Sequence, residues 1–309
     1  MSGIHHVTAI SGRAERNLDF HTRVLGLRLV KKTVNFDDPG TYHLYYGDER
    51  GTPGTILTFF AWAHAAPGQL GGGETQETSF RVPTASIGYW THRFVEKGVP
   101  HATAKRFGDT VVTFSDPDGM RFALVGVAGA EKETAWSNGQ IPVEHAIRGF
   151  HGVTLALAQA APTAQVLTEV LGWREAGRED ALTRYRADAP LGGFVDLREV
   201  GDFPRGRLGR GSVHHVAFRA ADDAAQAAMA ATAVKLGLHV TEQKDRNYFR
   251  SVYFREPGGV LFEIATDDPG FAVDEPVANL GQALKLPRFL EPRRAELEAK
   301  LPPLDERVA

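Results

Sequence analysis

The chain contains no cysteine, and this absence removes several kinds of chemistry at once. Without a thiol it can form no disulfide framework, no thiolate metal site and no cysteine nucleophile. An excess of charge is also missing, because 35 Lys and Arg stand against 38 Asp and Glu, for a formal net charge of -3. With no Lys/Arg-rich block either, we expect neither nucleic acid nor an anionic membrane as the main partner.

Long apolar runs are missing too. No stretch approaches the roughly 18 apolar residues that a membrane-spanning helix needs. The first residues show no basic segment followed by an apolar one, so we expect no secretory signal. A chain of 309 residues, 42% of them hydrophobic, can bury a large core and usually forms two domains or a set of repeats. We therefore expect a cytoplasmic protein, and we expect it to be a homo-oligomer.

One strand-helix unit occurs twice in the sequence. The segment HVTAISGRAERNLDFHTRVLGLRLV, which starts at His6, resembles GVTLALAQAAPTAQVLTEVLGWREA, which starts at Gly152. The offset is 146 residues both at the strand starts (6 to 152) and at the Val-Leu-Gly turns (24 to 170). Each copy shows a strand with period two, a helix with period near 3.6, and a glycine that ends the helix, Gly26 or Gly172.

A second pair of segments repeats between the other quarters of the chain. VTFSDPDGMRFA (112–123) and VYFREPGGVLFE (252–263) both read as strand, turn and strand. The sequence therefore predicts an α+β fold of four βαβββ modules, arranged as two paired domains. The predicted divisions are an N-terminal domain with modules 1 and 2 (1–137), a polar linker (138–149), a C-terminal domain with modules 3 and 4 (150–270), and a tail (271–309) whose helix docks through Leu297 and Leu301.

Two strands begin with a pair of histidines, GIHHVTAI in module 1 and GSVHHVAF in module 4. Since successive side chains of a strand point to opposite faces, only one histidine of each pair can face a shared cavity. In the HHV frame His6 corresponds to His215, and Glu263 lies on the strand after the Pro-Gly-Gly turn of module 4. If the first strands of modules 1 and 4 face a common cavity, these three side chains form the facial triad that holds non-haem Fe(II).

The equivalent positions in modules 3 and 2 are Gly152, Glu77 and Ala123, and neither glycine nor alanine can bind a metal. One site therefore keeps a complete ligand set and its twin has lost it. A histidine at a strand head is often a core residue, and a glutamate at a strand end is often solvated, but their joint occurrence in matching frames favours a metal site. His151 is the rival ligand, although its frame aligns it with His5, so pleating turns it away from the cavity.

The sequence resembles the vicinal oxygen chelate superfamily, which includes glyoxalase I, bleomycin-resistance proteins and extradiol dioxygenases. Within that superfamily it is similar to the hydroquinone-cleaving ring dioxygenases of the dichlorohydroquinone 1,2-dioxygenase type. The similarity runs nearly end to end and rests on five motifs: GIHHVTAI, YHLYYGDERGTPGT (Tyr42 to Thr55), IPVEHAIRGFH (Ile141 to His151), HHVAF and DRNYFRSVYFREPGGVLFE (Asp245 to Glu263).

This resemblance implies Fe(II)-dependent cleavage of a hydroquinone or related aromatic diol by O2, with Mn(II) as the other candidate metal. It implies the same ligands as the repeat: His6, His215 and Glu263. Four further positions correspond to residues around the metal: His5, His214, Arg246 and Tyr253. His5 and His214 lie on the opposite strand faces, where they either support the ligands or pack outside them. Asn247 departs from the family pattern, which has a small residue there.

The residues around the predicted metal suggest roles in proton transfer. Tyr253 and His214 are candidates for the acid and base that ring cleavage requires, and Arg246 could pair with a developing anion on the substrate or on oxygen. Tyr253 could equally be an ordinary strand residue, and Arg246 an ordinary loop ion-pair partner. Three nearby aromatic residues suit either stacking on a substrate ring or the core: Tyr248, Phe249 and Phe262.

Two other functions fit a chain of this kind. A glyoxalase-like isomerase or thiol-adduct detoxifying enzyme usually needs a fourth protein ligand, often a second glutamate, and the twin positions offer none. A binding protein that confers resistance by sequestering a drug tends to lose the metal ligands. The retained set of three ligands therefore favours oxygen activation over both alternatives.

Overall fold

The computed structural model describes residues 3–304. Its strands are β1 (Ile4–Ser11), β2 (Arg28–Val34), β3 (Tyr42–Gly47), β4 (Ile56–Ala61), β5 (Glu74–Pro83), β6 (His101–Arg106), β7 (Asp109–Ser115), β8 (Arg121–Val127), β9 (Phe150–Leu157), β10 (Arg174–Glu179), β11 (Leu182–Arg186), β12 (Phe194–Glu199), β13 (Val213–Ala220), β14 (Lys244–Asp245), β15 (Phe249–Arg255) and β16 (Leu261–Pro269).

The structure contains five α-helices in residues 3–304, and those of modules 1 and 3 are related by the repeat seen in the sequence. The five helices are α1 (Ala14–Asp19), α2 (Ile87–Glu96), α3 (Ala161–Gln165), α4 (Asp223–Lys235) and α5 (Arg294–Lys300). Both α1 and α3 continue into a five-residue π-helical turn, Phe20–Val24 and Val166–Val170. Gly26 and Gly172 follow these turns with φ of 71° and 72°, a left-handed conformation that favours glycine, so both end their helices as predicted.

The strands form two eight-stranded sheets within residues 3–304. The first has the order β14-β15-β16-β13-β1-β4-β3-β2, and the second β10-β11-β12-β9-β5-β8-β7-β6. Modules 1 and 4 therefore share the first sheet through the antiparallel pair β1 and β13, while modules 2 and 3 share the second through β5 and β9. The predicted α+β fold of four βαβββ modules is confirmed, and the division of the chain into domains at 138–149 stays a prediction.

Helices and strands share one large apolar core. Trp90 and Phe94 of α2 are fully buried in it, together with Phe122 and Phe150 of the second sheet. The short helix α5 buries Leu297 in the same core. None of the helices in residues 3–304 combines the length and apolar character needed to cross a membrane.

Candidate metal centre

Three side chains with metal-binding groups converge on one face of the first sheet. His6 on β1 lies opposite Ala217 on β13, and Ala217 lies opposite Glu263 on β16. His215 precedes Ala217 by two residues and therefore shares its face. Ala217 is fully buried, and its methyl group leaves the space above it to the three longer side chains. The structure thus brings together all three predicted ligands, which we call the His-His-Glu cluster.

The ligand atoms of this cluster have the spacing that a single metal ion requires. Nε2 of His6 lies 3.3 Å from Nε2 of His215 and 3.3 Å from Oε2 of Glu263. Nε2 of His215 lies 2.9 Å from the same Oε2. Two ligands at right angles, each bonded to a metal at about 2.1 Å, lie about 3 Å apart. The observed separations therefore fit a facial set of three ligands.

The protonation of the cluster also suits a cation. Burial by itself would raise the pKa of Glu263, but the imidazoles of His6 and His215 hold it well below its usual range. Ser251 donates a hydrogen bond of 2.5 Å to Oε1. The other oxygen, Oε2, is buried and receives no well-directed hydrogen bond, despite its short distances to the imidazoles. Burial lowers the pKa of His215, which keeps it neutral. A carboxylate beside two imidazoles is a donor set for a divalent metal.

His5 and His214 each contact a ligand imidazole. Nδ1 of His5 is 2.9 Å from Nδ1 of His6, and Nδ1 of His214 is 2.8 Å from Nδ1 of His215. A ligand that binds through Nε2 carries its proton on Nδ1, so each ligand donates to its neighbour and is held in orientation. His214 lines the cavity described below. His5 is buried, is not among the residues that line the cavity, and contacts His6 and the ring of Phe249.

The cluster borders a cavity of about 470 Å³. Side chains from β1, β3, β4, β13 and β15 line it, which shows that the first sheet curves around it. Much of its wall is aromatic, with Phe36, Phe60, Trp62, Phe249 and Tyr253. A volume of this size with a few polar groups is typical of a site for a small organic molecule.

Tyr253 and Arg246 lie together in this wall. Arg246 Nε donates to the Tyr253 hydroxyl at 3.1 Å, and its guanidinium lies 3.5 Å from Asp37. Burial, with the nearby charge of Glu263, raises the pKa of Tyr253, so the phenol is protonated and can donate. Asn247 adopts a left-handed backbone with φ of 68°, which asparagine tolerates, and is not among the cavity-lining residues.

Comparison with known proteins shows the family to which the chain belongs. The sequence-family model of the Glyoxalase/Bleomycin resistance protein/Dioxygenase superfamily matches residues 3–124 and 149–264. The chain belongs to this superfamily. It is 46% identical over 305 residues to "Putative ring-cleaving dioxygenase MhqO" of Bacillus subtilis, covering 99% of this chain and 97% of the relative.

Two further similarities extend along the whole chain. The chlorohydroquinone/hydroquinone 1,2-dioxygenase of Sphingobium indicum is 34% identical, with 96% of this chain and 95% of the relative covered. A crystal structure titled as that of a putative dioxygenase from Bacillus subtilis superposes with a TM-score of 0.95 at 45% identity, covering 98% of this chain and 97% of that one.

In this member of the superfamily, the second sheet carries the degenerate twin of the cluster. The register pairs Ser79 with Ala123 just as it pairs Ala217 with Glu263, so the positions inferred from the repeat are the equivalent ones. Glu77, the counterpart of His215, forms an ion pair with Arg106. Ion pairing and small side chains therefore replace the ligands of this twin.

The rival ligand His151 lies in the second sheet, away from the His-His-Glu cluster. Its ring stacks on Phe194 with centroids 4.6 Å apart. Burial, together with the charges of Arg184 and Arg81, lowers the pKa of His151 to about 3. Within the described residues it joins no group of metal-binding side chains.

Of the three aromatic residues considered for stacking, only Phe249 lines the cavity. Phe262 is buried in the main core because it neighbours Glu263 on β16 and so points to the other face. Tyr248 is buried in a smaller apolar cluster, and its hydroxyl donates to Asp274 at 3.0 Å. For these two residues the structure shows a core role.

The cavity residues that were not identified from the sequence include His43 and Tyr45 on β3, Phe60 on β4, and Trp62 just after it. His43 and Tyr45 belong to the motif YHLYYGDERGTPGT, whose alternation places them on one face of their strand. That alternation could have indicated a polar face, but not that this face borders the metal cluster.

Proposed function

We propose that this chain is a non-haem Fe(II)-dependent dioxygenase that cleaves the ring of a hydroquinone or related aromatic diol, with O2 as second substrate. The observation that carries this proposal is the three-membered His-His-Glu cluster at the wall of an aromatic cavity. The names of the relatives in the preceding section support the same reaction class.

The donor set fits Fe(II), and it also fits Mn(II). Two neutral imidazoles and one carboxylate leave a divalent ion with a net charge of +1, and three protein ligands leave coordination positions open. Such an ion supplies Lewis acidity toward a phenolate and one-electron chemistry toward O2. The chain's own residues supply the orientation and the proton transfers.

The wall residues divide these tasks. The rings of Phe249 and Phe60 flank the space beside the cluster and can hold an aromatic substrate edge-on or offset. Tyr253 is protonated and offers a proton at its hydroxyl, while His214 can exchange a proton at Nε2. Arg246, which is hydrogen-bonded to Tyr253, places a positive charge near the site where negative charge develops on the substrate or on O2.

The isomerase alternative has less support. Within residues 3–304 the cluster contains three metal-binding side chains, whereas a glyoxalase-like isomerase usually has a fourth. A sequestering protein would not need the complete cluster. The homo-oligomeric state and the cytoplasmic location stay predictions from the sequence.

The proposal is tested by oxygen uptake. Protein loaded with Fe(II) without oxygen is mixed with a panel of hydroquinones, and oxygen consumption is followed together with the absorbance of the ring-opened product. We expect wild type to consume oxygen in step with substrate and Glu263→Gln to consume none. Tyr253→Phe should keep its metal and lose roughly 10²- to 10⁴-fold in turnover.

Tyr185→Phe is the matched control, because Tyr185 is a buried tyrosine of the second sheet. It should behave as wild type. If iron-replete wild type consumes no oxygen with any aromatic diol, the dioxygenase assignment is wrong, and an assay for isomerisation of thiol adducts becomes the next experiment.

A further inference from the structure

A row of side chains leads from the edge of the cavity to the metal cluster. Tyr45 on β3 lies opposite Thr58 on β4, Thr58 lies opposite Thr8 on β1, and Thr8 lies opposite His215 on β13. Residues directly opposite each other in a sheet share a face. The four side chains therefore form one line across four neighbouring strands, and this line ends at a predicted ligand.

His43 joins this line through both of its ring nitrogens. The Tyr45 hydroxyl is 3.0 Å from His43 Nδ1, and His43 Nε2 is 2.8 Å from the Thr58 hydroxyl. Thr58 in turn donates to the Thr8 hydroxyl at 2.9 Å. Thr58 is fully buried, whereas Thr8, His43 and Tyr45 line the cavity.

These contacts form a hydrogen-bond chain from Tyr45 to Thr8, and all of its hydrogen bonds run in one direction. Thr58 has a single hydroxyl proton and gives it to Thr8, so its oxygen accepts from Nε2 of His43. Burial lowers the pKa of His43, which keeps the imidazole neutral with one N–H. Its Nδ1 then accepts from Tyr45. Among the described residues no acceptor is seen for the Thr8 hydroxyl proton, which is the free end of the chain and faces the cavity.

The second sheet shows that the fold does not require such a chain. There the four equivalent positions are occupied by Arg184, Asp196, Thr154 and Glu77, in the same register. Arg184 makes a two-point ion pair with Asp196 at 2.8 Å, and Glu77 is held by Arg106. At these equivalent positions, the second sheet therefore carries ion pairs. The first sheet carries neutral hydrogen-bonding groups there, beside the metal cluster.

We propose that His43 is a positioning residue for the substrate: through Thr58 it orients the hydroxyl of Thr8, which donates a hydrogen bond to an anionic oxygen of the aromatic diol bound at the His-His-Glu cluster. This inference rests on the proposed function and adds to it a donor for the substrate oxygen. A donor already oriented by its neighbours loses little freedom when the ligand binds and so favours the charged oxygen more strongly than a freely rotating hydroxyl does.

The test removes the middle of the hydrogen-bond chain, the Thr58 hydroxyl, without changing the cavity wall. Thr58→Val has nearly the same shape and lacks the hydroxyl, whereas Thr58→Ser keeps it. In Fe(II)-loaded protein without oxygen, we expect the dissociation constant of hydroquinone to rise about tenfold in Thr58→Val, the size of one hydrogen bond, and to stay within about twofold in Thr58→Ser. Thr78→Val, a fully buried threonine of the second sheet, controls for the loss of a buried hydroxyl.

A double-variant cycle separates orientation from packing. If His43 acts through Thr58, His43→Phe and Thr58→Val together should weaken hydroquinone binding no more than either change alone. Nitrogen NMR of the metal-free protein should show His43 as the Nε2–H tautomer, a readout that needs neither substrate nor turnover.

The outcomes distinguish this inference from the proposed function. Two binding results would overturn the role of the hydrogen-bond chain: wild-type affinity for hydroquinone in Thr58→Val, or equal losses of affinity in Thr58→Val and Thr58→Ser. Losses of affinity that multiply in the double variant would also overturn it, as would an Nδ1–H tautomer at His43. If wild type neither binds nor consumes hydroquinone, the proposed function fails, while the NMR measurement still decides whether the directed chain exists.

Discussion

His21 is a fully buried histidine near the end of the first helical unit, and its surroundings predict how the protein responds to acid. Its ring packs between Tyr46 and Phe59, with centroid distances of 4.9 and 4.5 Å. Nδ1 donates to the backbone carbonyl of Asn17 at 2.8 Å, and Nε2 is buried without a hydrogen-bond partner. A second proton on this ring would therefore lie on Nε2 with no acceptor.

The size of the stability loss in acid follows from the pKa of His21, which burial lowers from 6.5 to about 4. The unfolded chain takes up the proton near pH 6.5, while the folded protein takes it up only near pH 4. The stability linked to His21 is therefore fully present above pH 6.5 and is lost as the pH falls toward 4. The full loss is about 3 kcal/mol, of which about 2 kcal/mol has appeared at pH 5.

The repeat supplies the substitution for this test. Leu167 occupies the equivalent position in module 3 and is fully buried there. The carbonyl of Asn17 also accepts from the backbone N–H of Phe20, so His21→Leu leaves it satisfied. Urea unfolding of metal-free wild type and His21→Leu at pH 7.5 and pH 5 measures the effect, because proton uptake by the metal ligands cancels in the comparison.

Between pH 7.5 and pH 5, we expect the free energy of unfolding to fall by about 2 kcal/mol more in wild type than in His21→Leu. His239→Gln, at an exposed histidine, should lose as much as wild type. Equal pH dependence in wild type and His21→Leu would refute the reasoning, since it would mean that the folded protein accommodates the charged imidazole.

Three further predictions concern the metal ligands, a buried lysine and the twin site. His6→Ala and His215→Ala should lose bound metal in elemental analysis while circular dichroism shows an intact fold, and His151→Ala should keep its metal; the reverse pattern would make His151 the ligand. Lys31 is fully buried, with Nζ 2.5 Å from two carboxylates of the C-terminal segment, so Lys31→Met should lower the free energy of unfolding by about 3–5 kcal/mol; wild-type stability in denaturant would contradict this. A Cβ at Gly152 would lie 2.2 Å from a backbone oxygen of β12, so Gly152→Ala should be destabilised by roughly 1–3 kcal/mol in thermal unfolding, yet its folded fraction should keep wild-type turnover; lost turnover would give the second sheet a part in catalysis.

The repeat was readable from the sequence because its elements are set locally. Strand and helix periods and the glycines at 26 and 172 depend on neighbouring residues, and the structure reproduces their offset in β1 and β9. The prediction of His6 and His215 from the paired histidines also rested on local geometry, because a strand alternates its faces. The cavity departs from that expectation at one point, since His214 lines it together with His215. The same rule applied to Phe262 beside Glu263 would have placed that ring in the core.

The cavity wall required the tertiary structure. Phe60 lies beside β1 because β4 pairs with that strand, and His43 on β3 shares the same face from the far side of β4. The register of these strands is set by contacts between residues far apart in the chain, which no local pattern encodes. The chain through His43 was therefore not predictable from its motif alone.

The amino-acid sequence by itself determined the four modules and the family, and it supplied the ligand prediction of His6, His215 and Glu263, since these depend on residue identity and short-range periodicity. Only the tertiary structure shows that module 1 pairs with module 4 and module 2 with module 3, which the ligand prediction had assumed, and that the His-His-Glu cluster borders a cavity. In the first sheet, neutral side chains leave space beside the ligands. In the second, Arg184, Asp196 and Glu77 enter ion pairs, because charged groups removed from water are stable only when they are paired.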